Sequence, residues 1–518
     1  MKRTAAEWFV LGLRERGVEW ISALCGHGLD PLFHAAATHG IRLIDVRNEQ
    51  TAGYIADAYG RLTGRPGVCA SSSGVAAANL LSGMMNAWYD RAPLVAITGA
   101  ADSTRLGMGC FQDLDQVELA RPVTRHSRLI AHPERVAAML DEAWRAAMGE
   151  PRGPVHLQFP MDVQRAEVDE RELVRPAGAD RTAGPSPAAL DRAARALLEA
   201  KRPLIVAGSG VFYCGEGPDL RSVAETFAIP VQTPIWDRGV FGEASEAFVG
   251  VLGAATGGPD LLGQTDCLVL AGVEPDYRTG YLQREVRTLR VDHGWRALGE
   301  RLVDFGRAPF RGWLEQARTE RSEYSAKIRS AAAAQRVDGR MHAVDVVEAI
   351  AAALPIDGTL IIDGGSIGQW AHQLLTERRY PGHWLTCGRS GVVGYGPGGG
   401  MAARLAHPDR AVVLLSGDGA FTFNSTEIEC AARQGLPFVA VVADDRSWGI
   451  TQSGHLRQFG TCYATQLGEI RFDDLARSLG ARGERVERAE DLAPAIERAI
   501  GSREVTVIHA PIVGGNPT

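Results

Sequence analysis

The chain has no paired cysteines in sequence. Its eight cysteines (Cys25, Cys69, Cys110, Cys214, Cys267, Cys387, Cys430 and Cys462) include no Cys-x-x-Cys. That spacing excludes a sequence-local zinc knuckle or dithiol redox motif and fits reduced thiols in a cytoplasmic enzyme. An excess of positive charge is also missing: Lys+Arg is 55 against Asp+Glu 62, for a net charge of −7. Nothing there points to a polyanion-binding surface, so nucleic acid is not an expected partner. Short runs such as Arg378–Arg379 read as solvated faces. No stretch of 18 uncharged apolar residues occurs, so no membrane span is expected. The N-terminal MKRTAAEWFVLGLRERG is broken by Glu7, Arg14, Glu15 and Arg16, and reads as an amphipathic helix instead of a signal peptide. The turn Gly26-His27-Gly28 lacks the third glycine of a dinucleotide fingerprint.

What is present is globular. The 518 residues are 45% apolar, with 60 Gly and 26 Pro. That length suits roughly three domains. Short apolar runs alternate with helical patterns from end to end, which predicts an α/β protein of three open parallel sheets with helices on both faces of each. The pattern divides into a first domain at 1–165, a linker at 166–186, a central α/β domain at 187–315, a helical connector at 316–341 and a third domain at 342–518. Within the third domain, a helix is expected near 424–434.

The segment 412–449 carries the strongest chemical signal. Asp418 ends one apolar run and Asp445 ends the next, 27 residues later. In a parallel sheet one crossover puts two such ends side by side, where two carboxylates can share a hard cation such as Mg²⁺. Gly417 and Gly419 allow close backbone approach, and a following helix would offer N–H groups to a phosphate. Taken alone, Gly-Asp-Gly is equally a common turn, with Asp418 as a helix cap. In the first domain, Glu49 follows the apolar run IRLIDV and precedes a helix. Alone, it reads as a carboxylate favoured by the helix dipole.

The order of motifs changes both readings. Gly417-Asp418-Gly419 with Asp444-Asp445, Glu49 with the following Gly-Tyr and Ala-Tyr-Gly-Arg, SSSGVAAANLLSGMMNAWYDRAPLVAITG (71–99), FQDLDQ (111–116), TRHS (124–127), RPLIVAGSGV (202–211) and GRSGVVGYGPGGGMAARLAHP (388–408) together resemble the thiamine-diphosphate enzyme superfamily. The resemblance is to the branch of acetolactate synthase, benzaldehyde lyase and 2-hydroxyacyl-CoA lyase. It implies that the three domains are pyrimidine-binding, central and diphosphate-binding. It implies Mg²⁺ held by Asp418, Asp445 and the Ser447 carbonyl. Gly417, Gly419, Ala420, Trp448 and Gly449 would lie around the diphosphate. Gly391 would offer a carbonyl to the pyrimidine amine, and Val393 would prop the cofactor in its bent form. Glu49 would hold a ring nitrogen of the aminopyrimidine. The family usually has Asn in the pair that reads Asp444-Asp445 here. In this family each cofactor lies between the first domain of one chain and the third domain of another, so a homodimer, and commonly a tetramer, is implied. A non-catalytic relative would have lost Glu49 or both Asp418 and Asp445; all three are present.

The reaction is less legible. Gln112, in FQDLDQ, would hold a carboxylate or carbonyl oxygen while charge develops. His27 lies in the glycine turn, one place before the His of benzaldehyde lyase. Cys110, His126 and Gln452 are weaker candidates. The first reading is an acetolactate-synthase-type carboligase, which decarboxylates a 2-keto acid and adds the acyl unit to a second carbonyl. The alternatives are a lyase of 2-hydroxy ketones or 2-hydroxyacyl-CoA, and a plain decarboxylase, disfavoured because no His-His pair occurs. FAD stays open: YCGEG (213–217) is no dinucleotide loop.

Overall fold

Four apolar runs of the first domain, WISA, GVCAS, LVAITGA and PVHLQFP, are buried at every position, as strands covered on both faces must be. The computed structural model describes residues 1–174, 186–242, 245–253, 259–337, 339–375 and 383–515. Arg378, Arg379 and most of the expected linker lie outside the described residues.

The first sheet contains β2 (Trp20–Ala23), β3 (Arg42–Asp45), β4 (Gly67–Ser71), β5 (Leu94–Ala100), β6 (His126–Leu129) and β7 (Pro154–Pro160). All six are parallel, in the order β3-β2-β4-β5-β7-β6. A short antiparallel pair, β1 (Lys2–Thr4) with β8 (Glu167–Asp169), uses part of the stretch expected to be a linker. The central sheet has β9 (Pro203–Ala207), β10 (Val231–Pro234), β11 (Phe248–Leu252), β12 (Cys267–Ala271) and β13 (Arg287–Arg290), in the parallel order β11-β10-β9-β12-β13. The third sheet comprises β14 (Met341–His342), β15 (Thr359–Asp363), β16 (Trp384–Thr386), β17 (Val412–Gly417), β18 (Val439–Asp444), β19 (Arg482–Arg485) and β20 (Thr506–Val513). Its order is β14-β20-β18-β17-β15-β16, with β19 also against β20. Three parallel sheets of six, five and seven strands thus match the expected fold class.

The described chain forms two compact units. One holds the first sheet together with residues 390–408 and 424–436; the other holds the central and third sheets. In the first unit, the helix Gly396–Ala406 lies on the helix Glu49–Thr63, with Tyr395 and Tyr54 rings 5.4 Å apart. In the second, the expected connector is the helix Arg311–Ala334, which begins earlier and ends earlier than 316–341. It is more than a connector: Trp313 and Ala317 enter the core of the central sheet, and Ile328 and Ala332 enter that of the third. The helix expected at 424–434 is found, shortened, at Glu427–Arg433, with a separate short helix, Asp418–Phe423, before it. Between the two, the Asn424 side chain donates to the Gly394 carbonyl at 2.9 Å.

Candidate active site

In the second unit, β17 and β18 are neighbours, with Gly417 opposite Ala443. Their C-terminal ends therefore deliver Asp418 on one side and Asp444 and Asp445 on the other. Asp418 and Asp444 are buried, and Asp445 is half-buried. Burial, reinforced by the charge of Asp445 and then Asp444, pushes the Asp418 carboxyl up to about 7. Burial also raises Asp445. Like charge thus adds to burial at Asp418 and Asp445, and a divalent ion between them would offset that penalty. The donor set, all hard oxygen, fits Mg²⁺.

The loop carrying the pair is pinned. Asp445 Oδ1 accepts from the Ser447 amide at 3.1 Å and its hydroxyl at 3.0 Å. Trp448 N–H donates to the Thr465 carbonyl at 2.9 Å. The Trp448 ring lies over Gly419, where any β-carbon would meet ring carbons at 2.8–3.0 Å. Gly449 packs as closely on the Ser366 hydroxyl. Asp444 has its own support. His509, fully buried on β20, places Nε2 2.9 Å from Asp444 Oδ2 and Nδ1 3.4 Å from Asp473 Oδ1. Burial alone would raise Asp444, but the hydrogen bond to His509 and the imidazole's charge hold it below the usual range. Asp444 is thus partnered from behind. Ala420 is buried in the first turn after Asp418. That helix has six residues, and the helix Ser366–Leu374 begins just after the neighbouring strand β15. There the buried Ser366 hydroxyl has no hydrogen-bond partner among the described residues.

In the first unit, Glu49 opens its helix behind the N-cap Asn48, whose side chain accepts from Gln50 N–H at 3.0 Å. One Glu49 oxygen accepts from Asn79 Nδ2 at 3.1 Å. The turn before it is clamped by the helix Glu427–Arg433. Glu427 accepts from the backbone N–H groups of Arg47 and Asn48 at 3.0–3.2 Å. Arg47 pairs with Glu429 at 2.7 Å, and Arg433 pairs with Glu429 and Asp45. Burial pushes the Glu427 carboxyl up to about 7. Gly391 is exposed with φ +68, and Val393 is half-buried; both lie in this unit.

At the C-terminal ends of β2 and β4, His27 and Gln112 come together. The His27 ring stands edge-on to Phe111 at 5.6 Å, and its carbonyl accepts from Ser72 Oγ at 2.9 Å. Gln112 Oε1 accepts from Ser73 Oγ at 3.0 Å and Ser72 Oγ at 3.3 Å. Its backbone is held at φ +56, a costly conformation for a residue with a side chain. The amide oxygen is thus engaged by Ser73, while the single Ser72 hydroxyl proton is shared between it and the nearer His27 carbonyl. Of the weaker candidates, His126 lies on the edge strand β6, where burial lowers it. Cys110 adjoins Phe111, and Gln452 lies in the helix Gly449–Phe459 of the other unit.

Sequence reasoning did not single out Glu427, Ser72, Ser73, His509 or Ser366. Ser72 and Ser73 lie within the motif segment 71–99 and Ser366 within the strand-to-glycine run DGGSIGQWAHQ (363–373), whereas Glu427 and His509 carried no signal.

Comparison with known proteins agrees along the chain. Profiles described as "Thiamine pyrophosphate enzyme" match in order: the N-terminal TPP binding domain over residues 3–119, the central domain over 190–302 and the C-terminal TPP binding domain over 363–510. The acetolactate synthase large subunit IlvG of Mycobacterium tuberculosis is 32% identical, covering 96% of this chain and 93% of its own. Acetolactate synthase isozyme 1 large subunit of Escherichia coli is 28% identical over 98% and 94%. Human 2-hydroxyacyl-CoA lyase 2 is 28% identical over 91% and 83%. The chain belongs to the thiamine pyrophosphate enzymes, with that family's N-terminal, central and C-terminal domains, and to their branch acting on carbon–carbon bonds.

Proposed function

We propose that the protein is a carboligase of the acetolactate-synthase type, which decarboxylates a 2-keto acid and joins the acyl unit to a second carbonyl compound. The observation that carries this reading is the Gln112 amide, fixed by Ser72 and Ser73 beside His27, in a chain 32% identical to an acetolactate synthase over nearly its full length.

Asp418, Asp445 and the Ser447 carbonyl would hold Mg²⁺, and Ser366 would donate its unpaired hydroxyl to the diphosphate. Thiamine diphosphate, when bound, would supply the acyl-anion chemistry that no side chain can. Glu49 would hold the proton at the pyrimidine ring nitrogen, with Asn79 fixing its carboxylate. Gly391 and Val393 would orient the ring. The Gln112 NH₂ would bind the keto acid's carboxylate or the acceptor's carbonyl oxygen. His27 would exchange a proton with the product hydroxyl, and Phe111 would cover that exchange from water. The cofactor would be shared between two copies of the chain. The helix Val75–Asp90 supports this, because it turns Val75, Met85 and Tyr89 to solvent beside Asn79.

The test is product analysis. Purified protein with thiamine diphosphate and Mg²⁺ is given pyruvate, alone and with a second 2-keto acid or an aldehyde. CO₂ release with a coupled 2-hydroxy ketone or 2-hydroxy-2-keto acid is expected. Free aldehyde as the sole product would replace the reading by plain decarboxylation. The similarity to human 2-hydroxyacyl-CoA lyase 2 favours one second reading. Cleavage of a 2-hydroxyacyl-CoA without turnover of any 2-keto acid would establish it instead.

A further inference from the structure

The central domain brings together three side chains that the thiamine chemistry leaves unused. Cys214 caps the end of the helix Ser209–Tyr213 that follows β9. Glu216 lies two residues on, ahead of the helix Gly217–Phe227. His293 sits in the turn between β13 and the helix Trp295–Asp304. One ligand atom from each, a thiol sulfur, a carboxylate oxygen and an imidazole nitrogen, lies within 4.8 Å of the other two. His293 Nδ1 is 3.8 Å from Glu216 Oε1. All three residues are half-buried, which leaves one side open to solvent.

The local backbone explains the convergence. Gly215, at φ +77, reverses the chain so that residues 214 and 216 share a side, and Gly294, at φ +84, turns it after His293. Glu216 is then locked: Oε1 accepts from Gly294 N–H and Oε2 from Trp295 N–H, both at 2.9 Å. These bonds cap the helix Trp295–Asp304, and they account for Glu216. The Cys214 thiol donates to the Val211 and Asp292 carbonyls at 3.4 and 3.7 Å, weak contacts that hold its sulfur on the side facing Glu216 and His293. Each carboxylate oxygen keeps a second lone pair for a ligand.

We propose that Cys214, Glu216 and His293 form a binding site for a borderline-soft divalent cation of the zinc class, with water as the fourth ligand. One sulfur, one nitrogen and one oxygen donor is a mixed set that zinc accepts and Mg²⁺ does not. Bonds of about 2.0–2.3 Å to a tetrahedral ion put ligand atoms about 3.3–3.8 Å apart. A nitrogen–oxygen pair on such an ion lies about 3.3–3.4 Å apart, so the 3.8 Å Glu216–His293 spacing must close by a few tenths of an ångström on binding, through rotation of His293 and Cys214. On binding, the Cys214 S–H releases its proton to solvent and the thiolate sulfur bonds the metal; no electron is transferred. The ion would clip the segment after β9 to the turn after β13. It is separate from Asp418 and Asp445 and does not depend on the proposed reaction.

The full-length protein, stripped with a chelator and free of thiamine diphosphate, is titrated with Co²⁺. The expected result is a near-ultraviolet thiolate-to-cobalt charge-transfer band with tetrahedral visible bands, saturating at one equivalent per chain and bleached by Zn²⁺. Cys214→Ser should abolish the band while keeping Mg²⁺-dependent turnover, which also shows that the variant folds. His293→Gln should weaken Co²⁺ binding by about tenfold or more. Asp418→Ala should leave the band intact, since an all-oxygen site gives no thiolate transition. Absence of the band in the wild-type protein, or its persistence in Cys214→Ser, overturns the site.

Discussion

Glu49 occupies a position where a carboxylate is stable for reasons unrelated to catalysis: it begins a helix and receives a hydrogen bond from Asn79. Its proposed catalytic role is therefore tested by a variant that keeps the shape. Glu49→Gln should retain cofactor binding yet slow hydrogen–deuterium exchange at the thiazolium C2 by roughly 10²–10⁴-fold, followed by NMR. Unchanged exchange would remove Glu49 from the mechanism. Glu427 makes a different prediction, about stability. Burial raises its carboxyl from 4.5 to about 7 in the folded chain. Between those values the folded state holds a proton that the unfolded state has lost. The stability that Glu427 contributes is therefore complete below about 4.5 and declines as pH rises to about 7. Of the charged groups around it, Arg47 and Arg433 stay cationic, and their hydrogen bonds hold Glu429 near 2, below this window. Glu427→Gln should flatten the pH dependence of urea unfolding between pH 4.5 and 7, by up to about 3 kcal/mol across it. An unchanged slope would assign the titration elsewhere.

At the scale of elements, two helices set the position of Glu49. The helices Glu49–Thr63 and Val75–Asp90 touch backbone to backbone at Gly53 and Gly83, where a β-carbon on either would lie within 2.5–2.8 Å of the other's Cα. Gly83→Ala must push the helices apart, at a cost of about 1–3 kcal/mol in chemical denaturation. Because Glu49 and Asn79 ride on opposite helices, the variant should also weaken cofactor binding, measured by calorimetry at a temperature where the fold is intact. The same level shows what the sequence could and could not tell. Strands buried on both faces, such as β5 and β18, are apolar throughout and announce themselves. Their ends located Asp418 and Asp445, because parallel neighbours share an edge. Strands that escaped include β6, β13 and β19, with the sequences HSRL, RTLR and RGER, as well as the apolar β11 and β16. The first two lie at sheet edges and the third pairs on one side only, where polar side chains are tolerated. The clamp on Glu49 was invisible for another reason. Glu427 meets Arg47 across 380 residues of sequence, and a buried glutamate in a short helix has no pattern of its own. His509 likewise reads as one polar residue in the apolar strand β20; only the β18–β20 pairing puts it behind Asp444.

At the scale of the molecule, the two halves of the proposed cofactor site belong to different compact units. Glu49, His27 and Gln112 are in one; Asp418, Asp445 and Ser366 are in the other. The proposed sharing of each cofactor between two copies of the chain makes a quantitative prediction that no single variant can. Glu49→Gln and Asp418→Ala should each be inactive as pure proteins, the second because metal-dependent cofactor binding is lost. When they are mixed one to one and allowed to exchange subunits, half of the dimers are mixed. In a mixed dimer one site carries both substitutions. The other site takes Glu49 from the Asp418→Ala chain and Asp418 from the Glu49→Gln chain, so it is intact. About one quarter of wild-type turnover should therefore return. Sites built within one chain would always contain one substitution, and mixing would restore nothing. Differently tagged copies, observed as mixed dimers by native mass spectrometry, ensure that absent activity reflects site composition and not failed exchange.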